Sequence, residues 1–153
     1  MFLISLFLIS YQDFKKREVS LILFLLAGVL GSLTHYATQY LYIFLMSLFI
    51  NMIVIFIVIL ILLVYSKQKM KMSLKEVIGL GDILFFILLA ISFPTVSFLL
   101  LFTGSLVFSL VLFLVLKPKM VNKTVPLAGL QALFLGLALF VNVLFNFVNL
   151  YAV

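Results

Sequence analysis

Six apolar stretches follow one another along this chain, and they limit its fold more than any other feature. A helix needs about 20 apolar residues to cross the hydrocarbon core of a bilayer, and the first two stretches are somewhat shorter. The stretches are Met1–Tyr11 with a helical continuation through Asp13, Val19–Thr34, Leu41–Val64, Val77–Phe93, Ser97–Leu116 and Val125–Leu150. The pattern predicts an all-α membrane protein, a polytopic bundle of six transmembrane helices that forms one domain over residues 1–153.

The composition excludes several other classes of protein. Hydrophobic residues make up 67% of the chain and charged residues 9%, too little polarity to cover a soluble domain. The chain has no cysteine and one histidine, which argues against disulfides, thiolate nucleophiles and a Ser-His-Asp triad. We therefore expect neither a metal nor a cofactor. The first ten residues, MFLISLFLIS, lack a basic region and a small-residue cleavage site, and indicate a retained helix rather than a signal peptide.

The basic residues indicate how the chain is oriented. All ten lysines and arginines lie in the first, third and fifth gaps between apolar stretches. Cytoplasmic loops carry the excess of basic residues, so these gaps are predicted in the cytoplasm, with both termini outside the inner membrane. The net charge of +6 is thus explained by topology, and no basic stripe suggests nucleic-acid binding.

Other polar and small residues are expected to serve packing. Gly28 and Gly31 have the spacing that allows close contact between helices. His35, which has no metal-ligand partner nearby, is expected to be an interfacial residue on the outer side, and Asn51 is expected to hydrogen-bond to a neighbouring helix. Interhelical bonding is also expected from three asparagines on one face of the sixth helix, Asn142, Asn146 and Asn149.

Two of the four acidic residues lie where they need an explanation. An aspartate near a helix centre costs roughly 2.5–3.5 kcal/mol on insertion scales. The predicted topology puts Asp13 at the cytoplasmic end of the first helix and Asp82 one to two turns inside that of the fourth. If the carboxyls meet, they would share one proton, and the ionised partner could activate a water molecule for attack on a carbonyl. Alternatively, Asp13 pairs with Lys16 or Arg17, and Asp82 caps the fourth helix.

The residues around both aspartates resemble those of a known family. The segment from Asp13 to Ser20, DFKKREVS, resembles the first signature of type IV prepilin peptidases, and that from Glu76 to Asp82, EVIGLGD, resembles their Glu-x-x-Gly-x-Gly-Asp signature. Pro126 opens a segment similar to the Ile-Pro-Phe of the family's last helix. The resemblance implies an aspartic endopeptidase that cuts the basic leader from pilin-like precursors at the cytoplasmic face.

The same resemblance implies roles for individual residues. Asp13 and Asp82 would be the catalytic pair, Gly79 and Gly81 would leave room for the substrate strand, and Glu76 would help to bind the leader. The implied partners are prepilin-like substrates and the lipid bilayer. Because bifunctional members carry a cysteine-containing insertion that this chain lacks, cleavage without methylation is expected.

Departures from the family pattern keep other readings open. Leu84 stands where the family commonly has a lysine, and Ser20 where it usually has a proline. An inactive relative that serves as a pilus or competence assembly subunit is therefore the main alternative. Presenilin-like enzymes share the GxGD motif, but their Tyr-Asp partner motif is interrupted here by Gln12. A small transporter lined by the two aspartates is a third possibility.

Overall fold

The computed structural model describes residues 1–16, 18–70, 79–116 and 126–151, and within these ranges it is all-α. A π-helical turn, Ser66–Met70, extends the third helix. The six helices are α1 Phe2–Lys16, α2 Leu21–Thr38, α3 Leu41–Tyr65, α4 Leu80–Ser92, α5 Thr95–Leu116 and α6 Leu127–Phe145. The predicted all-α class and the number of helices are confirmed in the described part of the chain.

Four of these helices, α2, α3, α5 and α6, are long and apolar enough to cross a membrane. The chain is therefore a multi-pass membrane protein. The other two are shorter: α1 has 15 residues and α4 has 13, or about 20 Å for α4 at a rise of 1.5 Å per residue. A bilayer core is about 30 Å thick, so neither of them spans it by its own length.

Several helix ends differ from the sequence prediction. Gly79 has an extended backbone and precedes the first turn of α4, so this helix begins at Leu80. The prediction that the sixth helix runs to Leu150 is wrong, because Asn146 adopts a left-handed conformation with φ 48° and ends α6 at Phe145. Asparagine tolerates that conformation better than most residues. The predicted start of the sixth helix at Val125 lies outside the described residues.

Four helices form a ring, in which α1 packs on α2, α2 on α4, α4 on α6, and α6 on α1. The helices α3 and α5 pack against the outside of this ring, mainly on α4 and α6. The core between them contains large side chains such as Leu6, Phe85, Phe86 and Leu135, none more than 2% exposed. Many large apolar side chains, for example Phe56 at 67%, are exposed on the outer surface, as expected for a surface that faces lipid.

Small residues allow α2 to approach α4 closely. A Cβ at Gly28 would lie 3.2 Å from Cδ1 of Ile91, and a Cβ at Gly31 would collide with the hydroxyl of Ser92. Close approach of this kind lets backbones pack where lipid gives no hydrophobic drive for association. The packing role predicted for these glycines is confirmed.

The end of the bundle that carries His35 and Tyr151, here called the opposite end, is joined by neutral hydrogen bonds. His35 is completely buried, with Nδ1 3.1 Å from the carbonyl oxygen of Ile91 and Nε2 3.3 Å from the Ser47 hydroxyl. The prediction of an interfacial histidine is therefore wrong, because the ring is enclosed within the bundle. The histidine lies on the packed face of α2 and links this helix to α3 and α4.

Other bonds close the same end. The Tyr151 hydroxyl lies 3.1 Å from Oγ1 of Thr34, and the Gln39 side chain donates to the Tyr151 carbonyl at 2.5 Å. Burial raises the pKa of the Tyr151 phenol, so this hydroxyl stays protonated at neutral pH. These contacts fasten the segment after α6 to α2.

The four asparagines that were expected to bond between helices behave in two ways. Nδ2 of Asn51 donates to the carbonyl oxygens of Ala90 and Phe93, each at 2.9 Å, which confirms the predicted bonding between α3 and another helix. The bonds of the other asparagines are local. Oδ1 of Asn142 accepts from the Val148 amide just after α6. Interhelical bonding by the three asparagines of the sixth helix was a wrong prediction, because the helix ends among them; they are Asn142, Asn146 and Asn149.

Candidate active site

Asp13 continues the buried face of α1. Leu6, Ile9 and Ser10 are buried at helical spacing on this face, and Asp13 follows one turn later with 8% of its surface exposed. The side chain is therefore directed into the bundle rather than toward lipid. It lies three residues before the end of α1, so it is close to the end of the bundle.

Asp82 lies in the first turn of α4. Its Oδ2 accepts a hydrogen bond from the Gly79 amide at 3.2 Å, while its own amide donates to the Gly79 carbonyl at 3.1 Å. A carboxylate in this position satisfies an amide that has no intrahelical partner and interacts favourably with the helix dipole. The capping role considered for Asp82 is thus present. It occupies only one of the two carboxylate oxygens.

The first turn of α6 brings the two aspartates together. The Ala128 amide donates to Oδ1 of Asp82 at 2.8 Å, and the Gly129 amide donates to Oδ2 of Asp13 at 2.6 Å. Because the two donors are consecutive residues, the carboxylates lie side by side at one backbone segment, and their charges repel each other. We call this part of the molecule, defined by Asp13 and Asp82, the acidic end.

The chemistry of this arrangement follows from the surroundings of the carboxylates. First-turn amides of a helix have no acceptor within the helix and carry part of its positive dipole, so they stabilise nearby anions. Hydrogen bonds from amides to ionised carboxylates are also shorter and stronger than neutral ones. Two adjacent carboxyls in a poorly solvated site can share one proton, and a pair in that state contains both an acid and a base.

The glycines predicted to line the site lie beside Asp82. Gly79 is exposed, and the neighbouring Leu80 is 73% exposed. A Cβ at Gly81 would have no neighbour closer than 3.9 Å, the nearest atoms belonging to Ala128 and Phe24. A Cβ at Gly81 would thus be in ordinary van der Waals contact, and the exposed Gly79 gives the accessible side of this aspartate. The fifth predicted site residue, Glu76, lies outside the described residues.

Side-chain bonds also order the connection between α1 and α2. The Gln12 side chain accepts from the Ser20 amide at 3.0 Å, which spans the segment of the first signature. Lys15 donates to the Tyr11 hydroxyl at 3.1 Å on the exposed face of α1. Of the two cations that could pair with Asp13, Arg17 lies outside the described residues.

The amides of Ala128 and Gly129 are part of the site but were not among the residues predicted for it. Every residue except proline has a backbone amide, so a residue pattern does not indicate which amides take part in a site. The available signal was the similarity of the segment after Pro126 to the opening of the family's last helix. That similarity located a helix start without showing what the start contacts.

Comparison with known proteins identifies a family. The model of the type IV leader peptidase family matches residues 1–114, three-quarters of the 153-residue chain. The matched range includes both aspartates and ends before α6. No curated protein and no solved structure matches the chain. With most of its length matched by that model, including both halves of the acidic end, the chain belongs to the type IV leader peptidase family.

Proposed function

We propose that the chain is an aspartic endopeptidase that removes the leader from prepilin-like precursors, with Asp13 and Asp82 as its catalytic pair. The observation that supports this most is the placement of one oxygen of each carboxylate on adjacent amides of α6. Family membership supports a leader peptidase in general. The charge pattern supports an acidic end that faces the cytoplasm, in a bacterial inner membrane.

In the proposed reaction, the ionised member of the pair takes a proton from a water molecule, and the water oxygen attacks the scissile carbonyl carbon. The protonated member donates a hydrogen bond to the oxygen that becomes negative. The tetrahedral intermediate then collapses, the C–N bond breaks, and the leaving nitrogen receives a proton from a carboxyl. No covalent intermediate with the protein forms.

The substrate would approach from the side of Asp82. Gly79 is exposed, and neither Gly79 nor Gly81 has a side chain, so an extended backbone could lie against the first turn of α4. We place Glu76 near the basic leader on the strength of the family signature. Cleavage without methylation fits a chain that has no cysteine.

Separate Asp13→Asn and Asp82→Asn variants test this function. The amide is isosteric with the carboxyl but can act neither as a base nor as a proton donor of the same kind. Each variant should lose cleavage of a precursor with a basic leader and a hydrophobic helix by at least about 10³-fold, while keeping its thermal unfolding temperature. Glu18→Gln, which neutralises an exposed carboxyl outside the site, is the matched control and should cleave normally. Normal cleavage by either aspartate variant would remove that residue from the mechanism.

A second function, an inactive relative that serves in assembly, is favoured by Leu84. This residue is partly buried and packs on the core where the family commonly has a lysine. If the absence of this lysine has abolished catalysis, the native chain would bind precursors without cutting them, and Leu84→Lys would restore cleavage. We expect the opposite result, with cleavage by the native chain.

A further inference from the structure

The first turn of α6 approaches α1 more closely than any side chain at position 129 would allow. A Cβ on Gly129 would lie 2.8 Å from Oδ2, 2.9 Å from Cβ and 3.2 Å from Cγ of Asp13. Real Cβ atoms essentially never approach heavy atoms more closely than 3.0 Å. Asp13 is buried, so it cannot avoid such a contact by turning into solvent.

We propose that Gly129 is a positioning residue for the aspartate pair, because its missing side chain lets one helix start hold both carboxylates. The proposal rests on the proposed function and adds a third structural component to it. The Gly129 amide fixes the Asp13 carboxylate at 2.6 Å, and the preceding amide fixes that of Asp82 at 2.8 Å. The distance between the carboxylates is thus set by consecutive peptide units of α6.

The neighbouring position shows why glycine is needed at one site and not at both. Ala128 carries a Cβ and still donates to Asp82, since its methyl group points toward the Gly81 side of the site. Asp13 approaches α6 along the direction that a Cβ of Gly129 would take. A methyl group at 129 would therefore separate Asp13 from the amide and leave the Asp82 contact in place.

The expected consequence is a change in catalysis rather than in substrate binding. Misplacement of a reacting group by about 1 Å can cost on the order of 10²-fold in rate. Position 129 contacts Asp13, whereas the proposed substrate side, at the exposed Gly79, lies beside Asp82. The kcat should therefore fall in Gly129→Ala, while KM changes little.

Gly136 provides a matched control on the same helix. It lies seven residues later and also faces α1, where a Cβ would come within 3.3 Å of the Phe7 ring. That ring is 39% exposed and can move aside. Gly136→Ala thus introduces the same methyl group between the same two helices, away from the aspartates.

The contact itself can be tested without any substrate. The full chain contains seven glycines, so labelling with ¹⁵N-glycine gives a simple NMR spectrum in lipid nanodiscs. A short hydrogen bond to a carboxylate should move the Gly129 amide proton downfield, and Gly129→Ala assigns its signal by deleting it. Asp13→Asn should shift this signal more than those of Gly28 and Gly104, which lie elsewhere in the bundle. An unmoved Gly129 signal would overturn the proposal.

Enzyme kinetics provide a second test of the proposed role of Gly129. We expect Gly129→Ala to lower kcat about 10- to 100-fold, and Gly136→Ala to keep the native kcat. A native kcat in Gly129→Ala, or an equal loss in both glycine variants, would overturn the positioning role. If the native chain cuts no precursor, the proposed function fails while the NMR result still decides whether Asp13 bonds to Gly129. If Gly129→Ala does not fold, labelling with 1-¹³C-alanine and ¹⁵N-glycine selects the two glycines that follow an alanine, Gly28 and Gly129. Gly28→Ala then assigns the pair, and the Asp13→Asn spectrum decides the same question.

Discussion

At the acidic end, two carboxylates accept hydrogen bonds from the first turn of α6, whereas at the opposite end neutral side chains bond to helix carbonyls and to each other. Asp13 and Asp82 come from α1 and α4 and meet at a third helix. His35 and Asn51 also join different helices, but they do so as uncharged groups buried among packed residues. The same bundle therefore uses polar contacts in two ways.

The difference indicates that contacts at the opposite end mainly stabilise the fold, whereas those at the acidic end mainly serve the chemistry. A buried neutral group with a partner adds to stability, and it costs about 1–3 kcal/mol when that partner is lost. Two adjacent carboxyl groups repel each other when both are ionised, so bringing them together opposes folding, and such pairs are common at functional sites. Changes at the acidic end should alter activity more than stability, and changes at the opposite end should do the reverse. Variants at residues other than the two aspartates test this division between the two ends.

After the aspartate and Gly129 variants, the largest loss of activity is expected from Gly81→Ala, because the added methyl group lies on the first turn of α4, where the substrate is proposed to bind. Its Cβ would meet nothing closer than 3.9 Å in the substrate-free structure, so folding should be unaffected or improved by up to about 1 kcal/mol. Cleavage should fall about 10-fold, mainly because KM rises. A tenfold change in binding corresponds to about 1.4 kcal/mol in free energy. Cleavage assays and thermal unfolding of the same preparation measure both. Unchanged cleavage would show that the substrate does not use this space.

Asn51→Leu should lower stability without lowering activity per folded molecule. It removes the hydrogen bonds to the Ala90 and Phe93 carbonyls at the end of α4. Asn51 is fully buried, so the expected loss is about 1–2 kcal/mol in the free energy of unfolding. Asn149→Ala, in the exposed segment after α6, is the control and should change little. A fall in kcat for Asn51→Leu would contradict the division between the two ends.

His35→Phe should have the smallest effect of the three, about 1 kcal/mol of stability. The variant keeps a ring against Phe44 but loses the bonds to Ile91 and Ser47. Denaturant unfolding gives the change in stability, with Tyr36→Phe on the exposed face of α2 as control. Equal stability of His35→Phe and the native chain would mean that these bonds add nothing to the packing of α2.

The predictions from sequence were most accurate where a pattern depends on local chemistry. The apolar stretches identified six helices, and the spacing of Gly28 and Gly31 identified a close contact between helices. The wrong predictions concern where helices end and which of their faces are packed. A single left-handed residue, Asn146, shortens α6, and His35 is buried because it lies on the packed side of α2. Neither the ending of a helix within an apolar run nor the choice of its packed face follows from composition.

What the sequence alone determined is the membrane class, the helix order and the placement of two aspartates at corresponding ends of two helices. Hydropathy and charge are properties of residues, so they can be read before folding. The tertiary structure decided which group receives those aspartates. The receiving group is a pair of backbone amides on α6, more than 40 residues beyond Asp82 along the chain, and every residue but proline carries such an amide. Packing of α1 and α4 on the start of α6 selects these two, and Gly129 provides the space for it.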